Sequence, residues 1–414
     1  MMRLLWMKSD YVLPAETGGR IRSYNLMREL HALCDVTYVC RRTPGQETLG
    51  TQAKDFASRL VSLPTEEEQK SGAAFYARVL AGMASPVPYF VQKNRDERFR
   101  VEQRRFVERG LREAPDGPLS ILCDFLDMGE NVAWELPCAK VLFEHNVETD
   151  IWDGYYTNET HALRRLYFDF ERRRARRYEA SVCNRFDHVF AVTEEDRKTL
   201  RDGLGVERPI DLLETGVDTD FFRPDREVRA VPERLLFLGS LDWMPNIDAC
   251  RWFVEEIYPA IRAQRPGVTL DVIGRRPVAE IRRFAERDSS IRLVADVPDV
   301  RPFVAQCELV VVPLRIGGGS RIRIYEAMAM GRPVVSTTLG AQGLRLRSGR
   351  EIELVDAAPD FASRCVALIA DRGQREAMAA RGEAFVRSDC SWRQVAQRLH
   401  DRCVEAAMRR RGAA

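Results

Sequence analysis

The residues best suited to chemistry lie between Val310 and Pro333. A short apolar run, Val310-Val311-Val312-Pro313-Leu314-Arg315-Ile316, leads into Gly317-Gly318-Gly319-Ser320 and then Arg321-Ile322-Arg323-Ile324-Tyr325-Glu326. Consecutive glycines leave backbone N–H groups uncovered just before a helix, whose N-terminus carries partial positive charge. Arg321 and Arg323 add full charges beside it, and together these groups suit a diphosphate. Glu326 falls about one helical turn further on, where its carboxylate could accept both hydroxyls of a ribose. The plainer reading of the same residues is a solvated helix with a glycine-rich entry.

Two other segments have the same strand, glycine turn, helix order. Residues 3–7 read as a first buried strand, followed by a loop ending in Thr17-Gly18-Gly19-Arg20. Paired glycines let a backbone approach a phosphate or sugar closely, although a plain flexible loop would look the same. The second is Phe237-Leu238-Gly239-Ser240-Leu241-Asp242-Trp243-Met244-Pro245-Asn246, with Pro245 and Asn246 marking a helix start. Asp218-Thr219-Asp220 matches a metal-holding D-x-D pattern, but a turn with a helix cap is the favoured reading. The run Arg172-Arg173-Arg174-Ala175-Arg176-Arg177, interleaved with Phe168, Phe170 and Tyr178, is compatible with membrane-surface or polyanion contact. Flanking Glu171 and Glu179 favour a solvated helix face instead. Trp243, Trp252 and Trp392 read as packing residues.

These loops need a scaffold that brings strand ends to one edge. Apolar runs at 36–40, 119–122, 141–143, 189–192, 235–238, 270–273, 309–312 and 334–335 alternate with amphipathic stretches such as 21–33, 246–263 and 322–330. That alternation predicts βαβ units and parallel sheets, whose ligands bind outside the carboxyl ends of the strands. With 414 residues and a prior of roughly 150 per domain, two or three domains are expected. The glycine- and proline-rich stretch 196–233 is the candidate connection. From residue 389 one helix is expected, with Trp392, Val395, Leu399 and Val404 on a face and a frayed Arg409-Arg410-Arg411-Gly412 end.

Composition narrows the class. Hydrophobic residues make up 45% and charged residues 30%, as in a globular protein. Lys+Arg 64 against Asp+Glu 62 argues against a dedicated nucleic-acid binder. No apolar run approaches the ~20 residues of a membrane span, and the start lacks a secretory leader's pattern. The 10 cysteines are scattered, without a C-x-x-C pair, which predicts packed, reduced thiols in a cytoplasmic protein and no structural zinc.

The segment Glu326-Ala327-Met328-Ala329-Met330-Gly331-Arg332-Pro333-Val334-Val335 resembles the "EAMA-x-G-x-PVV" signature of the family 4 retaining glycosyltransferases, also called glycosyl transferases group 1. Other segments follow in family order. They are Gly18-Gly19, Glu144-His145-Asn146, Thr215-Gly216-Val217-Asp218-Thr219-Asp220-Phe221-Phe222-Arg223-Pro224, Gly239, Val272-Ile273-Gly274 and Ser391-Trp392. The resemblance spans nearly the whole chain.

It implies an α/β protein of GT-B architecture, with two facing Rossmann-like domains, parallel sheets and a cleft between them. The acceptor-side domain would cover 1–200, the nucleotide-sugar domain 201–388, and a closing helix 389–414 would cross back to the first. It implies transfer from a nucleoside-diphosphate sugar, such as a UDP-sugar, to a sugar, lipid-linked or small-molecule acceptor with retention of configuration. Polysaccharide, glycolipid or glycoconjugate biosynthesis would be the setting. No metal and no further cofactor are implied, nor nucleic acid; peripheral contact with the inner face of a membrane is compatible. Gly18, Gly19, Gly239, Ser240, Gly274, Gly317, Gly318, Gly319, Ser320, Arg321 and Glu326 would hold the donor, and His145, Arg321 and Arg323 would act on the reacting groups. His145, one of only 5 histidines, would contact a hydroxyl of the transferred sugar through a ring nitrogen or its carbonyl.

The sequence departs from the family in two places. Gly318 stands where the first of the paired glutamates is usual, and Ser240 and Pro245 replace the usual Arg and Lys of the second-domain turn. The phosphate-binding cations therefore shift to Arg321 and Arg323, with Arg275 as a further candidate. An epimerase of the same fold and a silent sugar-nucleotide-binding protein are the rival readings. A dehydrogenase lacks its G-x-G-x-x-G.

Overall fold

The computed structural model describes residues 1–15, 17–45, 47–66, 78, 81–316 and 322–412. The chain divides into two compact units, Met1–Glu214 with Val395–Ala414, and Thr215–Gln394.

In the first unit seven parallel strands lie in the order β3-β2-β1-β4-β5-β6-β7. They are β1 (Arg3–Lys8), β2 (Asp35–Arg42), β3 (Arg59–Pro64), β4 (Leu119–Asp124), β5 (Ala139–Phe143), β6 (His188–Ala191) and β7 (Ile210–Leu212). Both faces of the central strands are buried, which is why β4, Leu-Ser-Ile-Leu-Cys-Asp, is covered at every position. Leu5, Met7, Leu119, Ile121, Cys123 and Leu142 pack into one cluster with Phe99, Phe106 and Val107 of helix α2 (Arg98–Glu113). Helix α1 (Gly18–His31) turns Ser23, Leu26, Met27 and Leu30 inward at helical spacing.

The second unit holds six parallel strands in the order β10-β9-β8-β11-β12-β13. They are β8 (Arg234–Leu238), β9 (Thr269–Gly274), β10 (Ile291–Ala295), β11 (Leu309–Val312), β12 (Val334–Ser336) and β13 (Glu353–Leu354). Alternate side chains feed two cores. Leu235, Phe237, Leu270, Val272, Leu309 and Val311 pack on one side. Leu236, Ile273, Val310 and Val334 pack on the other with Ile324, Ala327 and Met328.

Both sheets have the doubly wound Rossmann order, which reverses beside the first strand, between β1 and β4 and between β8 and β11. The strand ends flanking that reversal are where such folds place ligands. The expected strand set was incomplete. β3, β7, β10 and β13 were missed because they are edge or near-edge strands with mixed exposure or only two or three residues.

Because β7 joins the first sheet, the unit boundary follows Glu214 instead of residue 200, and the stretch 196–233 is only partly connection. The last helix, Trp392–Gly412, counts with the first unit from Val395. Ser120 Oγ donates to its Cys403 carbonyl at 3.0 Å. Cys403, not Val404, continues its buried face. Its end is tied down, with Arg410 on Asp187 at 3.2 Å and Arg411 on Asp116 at 2.7 Å. All ten cysteines are buried and free.

Candidate functional site

In the first unit the strand ends at the reversal meet on one carboxylate. Asp124, the last residue of β4, is fully buried. Its Oδ2 accepts from Trp6 Nε1 at 2.9 Å and Ser23 Oγ at 2.6 Å, and Lys8 Nζ lies at 3.4 Å. Its Oδ1 lies 2.6 Å from His145 Nε2. Burial pushes the Asp124 carboxyl up, but Lys8, His145 and the hydrogen bonds outweigh it and hold the group below the usual carboxylate range. Burial lowers His145 to about 4 despite Asp124 beside it, so the imidazole is neutral near pH 7. An ionised Asp124 then places the ring proton on Nε2.

The His145 ring is packed, not presented. Phe125 stacks on it at 3.8 Å and 7°, and Phe143 lies 4.0 Å away on a tilt. The whole residue is 2% exposed, and its Nδ1 has no hydrogen-bond partner among the described residues. Contact with a ligand requires a neighbour to move. Phe125 is the partly exposed cover, and its backbone sits at φ 78 and ψ 143, where a bulky side chain is strained by roughly 1–3 kcal/mol. Lys8 Nζ lies 4.1 Å from its ring centre. A β-carbon on Gly19 would lie 2.6 Å from Phe125 Cζ, so the glycine at the start of α1 makes room for this ring.

Next to His145 in the chain, buried carboxyl groups gather at the start of the following helix. Glu144 is buried with both carboxyl oxygens unpartnered among the described residues; burial and the charges of Glu179 and Glu148 push its carboxyl well up. Glu148 is raised to about 8 by burial and by Glu179. Glu179 accepts from the backbone N–H groups of Glu148 and Thr149, both at 2.8 Å, and so caps helix α3 (Glu148–Asn158).

In the second unit the glycine that follows β8 and the one that ends β9 nearly touch. A β-carbon on Gly274 would lie 1.8 Å from the Gly239 carbonyl oxygen, so no side chain fits there. Ser240 Oγ accepts from Arg275 Nε at 2.8 Å, and Asn246 Nδ2 donates to the Ser240 carbonyl at 2.9 Å. The loop thus carries the cation that Ser240 itself lacks. Helix α5 (Met244–Trp252) follows it, after helix α4 (Ala162–Cys183) of the first unit.

Gly317, Gly318, Gly319, Ser320 and Arg321 lie outside the described residues. Immediately after them helix α6 (Ile322–Ala329) begins. Arg323 Nη1 donates to Glu326 Oε2 at 2.7 Å, and the Glu326 side chain is 9% exposed against 48% for Arg323. Burial raises the Glu326 carboxyl, with Arg323 opposing.

Several neighbours carried no readable signal. Asp124, Lys8, Trp6 and Ser23 are scattered in sequence and meet only at the sheet reversal. Asp248 clamps Arg315 through contacts of 2.8 and 3.2 Å at the exit of β11. Gly340 sits against Ser336 and the Val312 carbonyl, where a β-carbon would lie 2.3 and 2.7 Å away. Trp243, expected in packing, is 45% exposed, whereas Trp252 and Trp392 are buried. Asp218 Oδ1 accepts from the backbone of Asp220 and Phe221, a turn-capping role. Among the described residues no cluster of His, Cys, Asp and Glu could hold a metal ion.

Comparison with known proteins places these strand ends in a family. Residues 232–371 match the model for Glycosyl transferases group 1, and residues 124–221 match that for Glycosyltransferase Family 4. The chain belongs to glycosyltransferase family 4. This family 4 chain is 28% identical over 240 residues to the GDP-mannose-dependent alpha-(1-6)-phosphatidylinositol monomannoside mannosyltransferase of Mycobacterium tuberculosis, covering 52% of the chain and 61% of that protein. It is 19% identical over 235 residues to an uncharacterized 44.6 kDa protein in the cps region of Klebsiella pneumoniae, covering 55% and 58%. The chain therefore spans about six-tenths of the length of these curated relatives. Among solved structures, Anabaena HepE in complex with UDP matches with a TM-score of 0.61 at 12% identity, over 97% of this chain and 99% of that one. The family 4 chain thus has the GT-B fold.

Proposed function

We propose that this chain is a retaining glycosyltransferase, moving a sugar from a nucleoside-diphosphate sugar to an acceptor hydroxyl. The observation that carries the reading is the Arg323–Glu326 pair, set on the first turns of α6 directly beyond the Gly317–Arg321 segment and the end of β11. A buried carboxylate there accepts ribose hydroxyls, while arginines and backbone N–H groups meet the diphosphate.

Chemically, the second unit's task is to stabilise charge on the departing diphosphate. Arg321, Arg323 and Arg275 supply it, with the Gly317–Ser320 backbone and without a metal or further cofactor. Gly239 and Gly274 let the ends of β8 and β9 pack closely, which sets Arg275 and Ser240 side by side for the donor. In the first unit, Gly18 and Gly19 open α1 on the acceptor side, and Asp124 orients His145 toward the transferred sugar once Phe125 moves. The front-face course, in which the leaving phosphate takes the acceptor proton, accounts for retention. A sugar or lipid-linked acceptor in polysaccharide or glycolipid assembly fits, with work in the cytoplasm and peripheral contact with the membrane's inner face.

The test is incubation with UDP-, GDP- and TDP-sugars. Slow hydrolysis of one donor, lost in Glu326→Ala and Arg321→Ala, is the expected result. Binding without turnover across varied acceptors would instead mark a silent sugar-nucleotide-binding protein, the reading motivated by Gly318. Conversion of the donor to its epimer would mark an epimerase.

A further inference from the structure

Among the described residues, the hairpin formed by α3 and α4 carries the most exposed apolar surface in the first unit beyond the chain's first residue. Leu163 and Leu166, one turn apart on α4, are 74% and 68% exposed, and Tyr155 of α3 is 53% exposed. Tyr155 stacks on Phe168 at 5.6 Å, and Trp152 meets its edge at 5.7 Å, so the same hairpin carries an aromatic cluster besides the two leucines. A monomer that left these groups in water would gain nothing from them; an apolar patch with a polar rim marks a contact surface.

The rim is cationic. Arg164 and Arg165 flank the leucines, and Arg173, Arg176 and Arg177 stand exposed further along α4. Arg172 and Arg173 are met by Asp169 at 2.6 and 2.7 Å, and Arg172 also by Asp153 at 3.3 Å. The six arginines at 164, 165, 172, 173, 176 and 177 outnumber Asp150, Asp153, Glu159 and Asp169, with Glu148 raised to about 8 and so protonated near neutral pH, in a chain that is otherwise close to neutral. Charge decides between occupants. In a two-fold contact with a second copy the same patch faces itself, bringing arginine against arginine. An anionic bilayer answers both halves of the surface: leucine and tyrosine enter the headgroup boundary, and arginines pair with phosphates.

We propose that the α3–α4 hairpin tip docks the protein on an anionic lipid surface through Leu163, Leu166, Tyr155, Arg164 and Arg165. The inference draws on the transferase reading only for its consequence, an acceptor presented at that surface. No described helix is long and apolar enough to cross a membrane, so the contact lies on the bilayer plane.

Co-sedimentation of the full chain with phosphatidylcholine vesicles, with and without phosphatidylglycerol, tests it. The wild type is expected to bind only the anionic vesicles, and less at high salt. Each arginine removed costs about fivefold, so Arg164→Ser with Arg165→Ser should weaken binding about 25-fold. Leu163→Ser with Leu166→Ser should weaken it at least about tenfold. Absence of vesicle binding, or wild-type binding by both variants, overturns the proposal. So does a dimer in analytical ultracentrifugation that the leucine variant dissociates while vesicles are ignored, which would make a second copy the occupant. Nucleotide binding is measured in parallel on every variant. Loss of turnover with vesicle binding intact would refute the transferase reading and leave the docking surface standing.

Discussion

Removing Arg323 separates two functions of one ion pair. Glu326 is nearly buried and Arg323 half exposed, with 2.7 Å between them. Breaking a buried pair from one side costs about 3–5 kcal/mol, but water already reaches Arg323, so about 1–2 kcal/mol is the discounted expectation. That cost reads on stability; Arg323→Ala also removes one charge-assisted contact to the diphosphate, about 1.5–3 kcal/mol, so nucleotide affinity should fall at least about tenfold. Glu326→Ala removes up to two charge-assisted hydrogen bonds to the ribose, about 1.5–3 kcal/mol each, and should weaken binding at least 100-fold.

The pH dependence tells the two roles apart. Burial already raises the Glu326 carboxyl, and Arg323 opposes that rise. Without Arg323 it rises further. Ribose hydroxyls donate to the ionised form, so affinity is full above the free group's pKa and lost as pH falls through it. Arg323→Ala should therefore begin to lose affinity at a higher pH than wild type as the pH is lowered. Isothermal titration with UDP, GDP and TDP reads the affinities, and thermal melts confirm folding. Normal binding by both variants would refute the site assignment. A pH-independent loss in Arg323→Ala, with Glu326→Ala unaffected, would show that the arginine meets phosphate and the glutamate does not meet ribose.

Four further outcomes follow from the geometry. Gly274→Ala puts a β-carbon 1.8 Å from a backbone carbonyl that no rotamer can relieve, so at least about 3 kcal/mol of stability should be lost in denaturant titration. Gly19→Ala meets only the ring of the partly exposed Phe125, which can swing, so the cost should stay below about 1 kcal/mol; an equal cost for both glycines would contradict the distinction. Asp124→Ala leaves Lys8, 2% exposed, without its nearest carboxylate, and should cost about 3–5 kcal/mol in the same assay. Glu148, held protonated to about 8, lowers wild-type stability as pH rises from its ordinary carboxylate value toward 8, because the unfolded chain releases that proton first. Glu148→Gln should thus be more stable than wild type by about 1–2 kcal/mol near pH 8 and equal to it near pH 4, in melts across that range.

How the residues came to be readable differs from one part of the molecule to the next. Strands buried on both faces, such as β4, β8 and β11, are continuous apolar runs, and the glycine turns after β1, β8 and β11 are local features, so pattern alone located them. The family signature from Glu326 to Val335 is contiguous, and its helix position could be read without coordinates. Edge strands β3 and β10 carry mixed patterns because one side faces solvent, and β7 is too short to show a period. The unit boundary after Glu214 followed from that missed strand. His145 was legible as a residue but not as a buried one, since its cover, Phe125, and its partner, Asp124, lie about 20 positions away. Lys8, Ser23, Asp124 and His145 become one site only because parallel strands bring their carboxyl ends to the same edge, where the sheet order reverses. Sequence singled out the segments proposed for a nucleotide sugar; the tertiary structure decided which charges are paired, which are buried, and so which are available to a ligand.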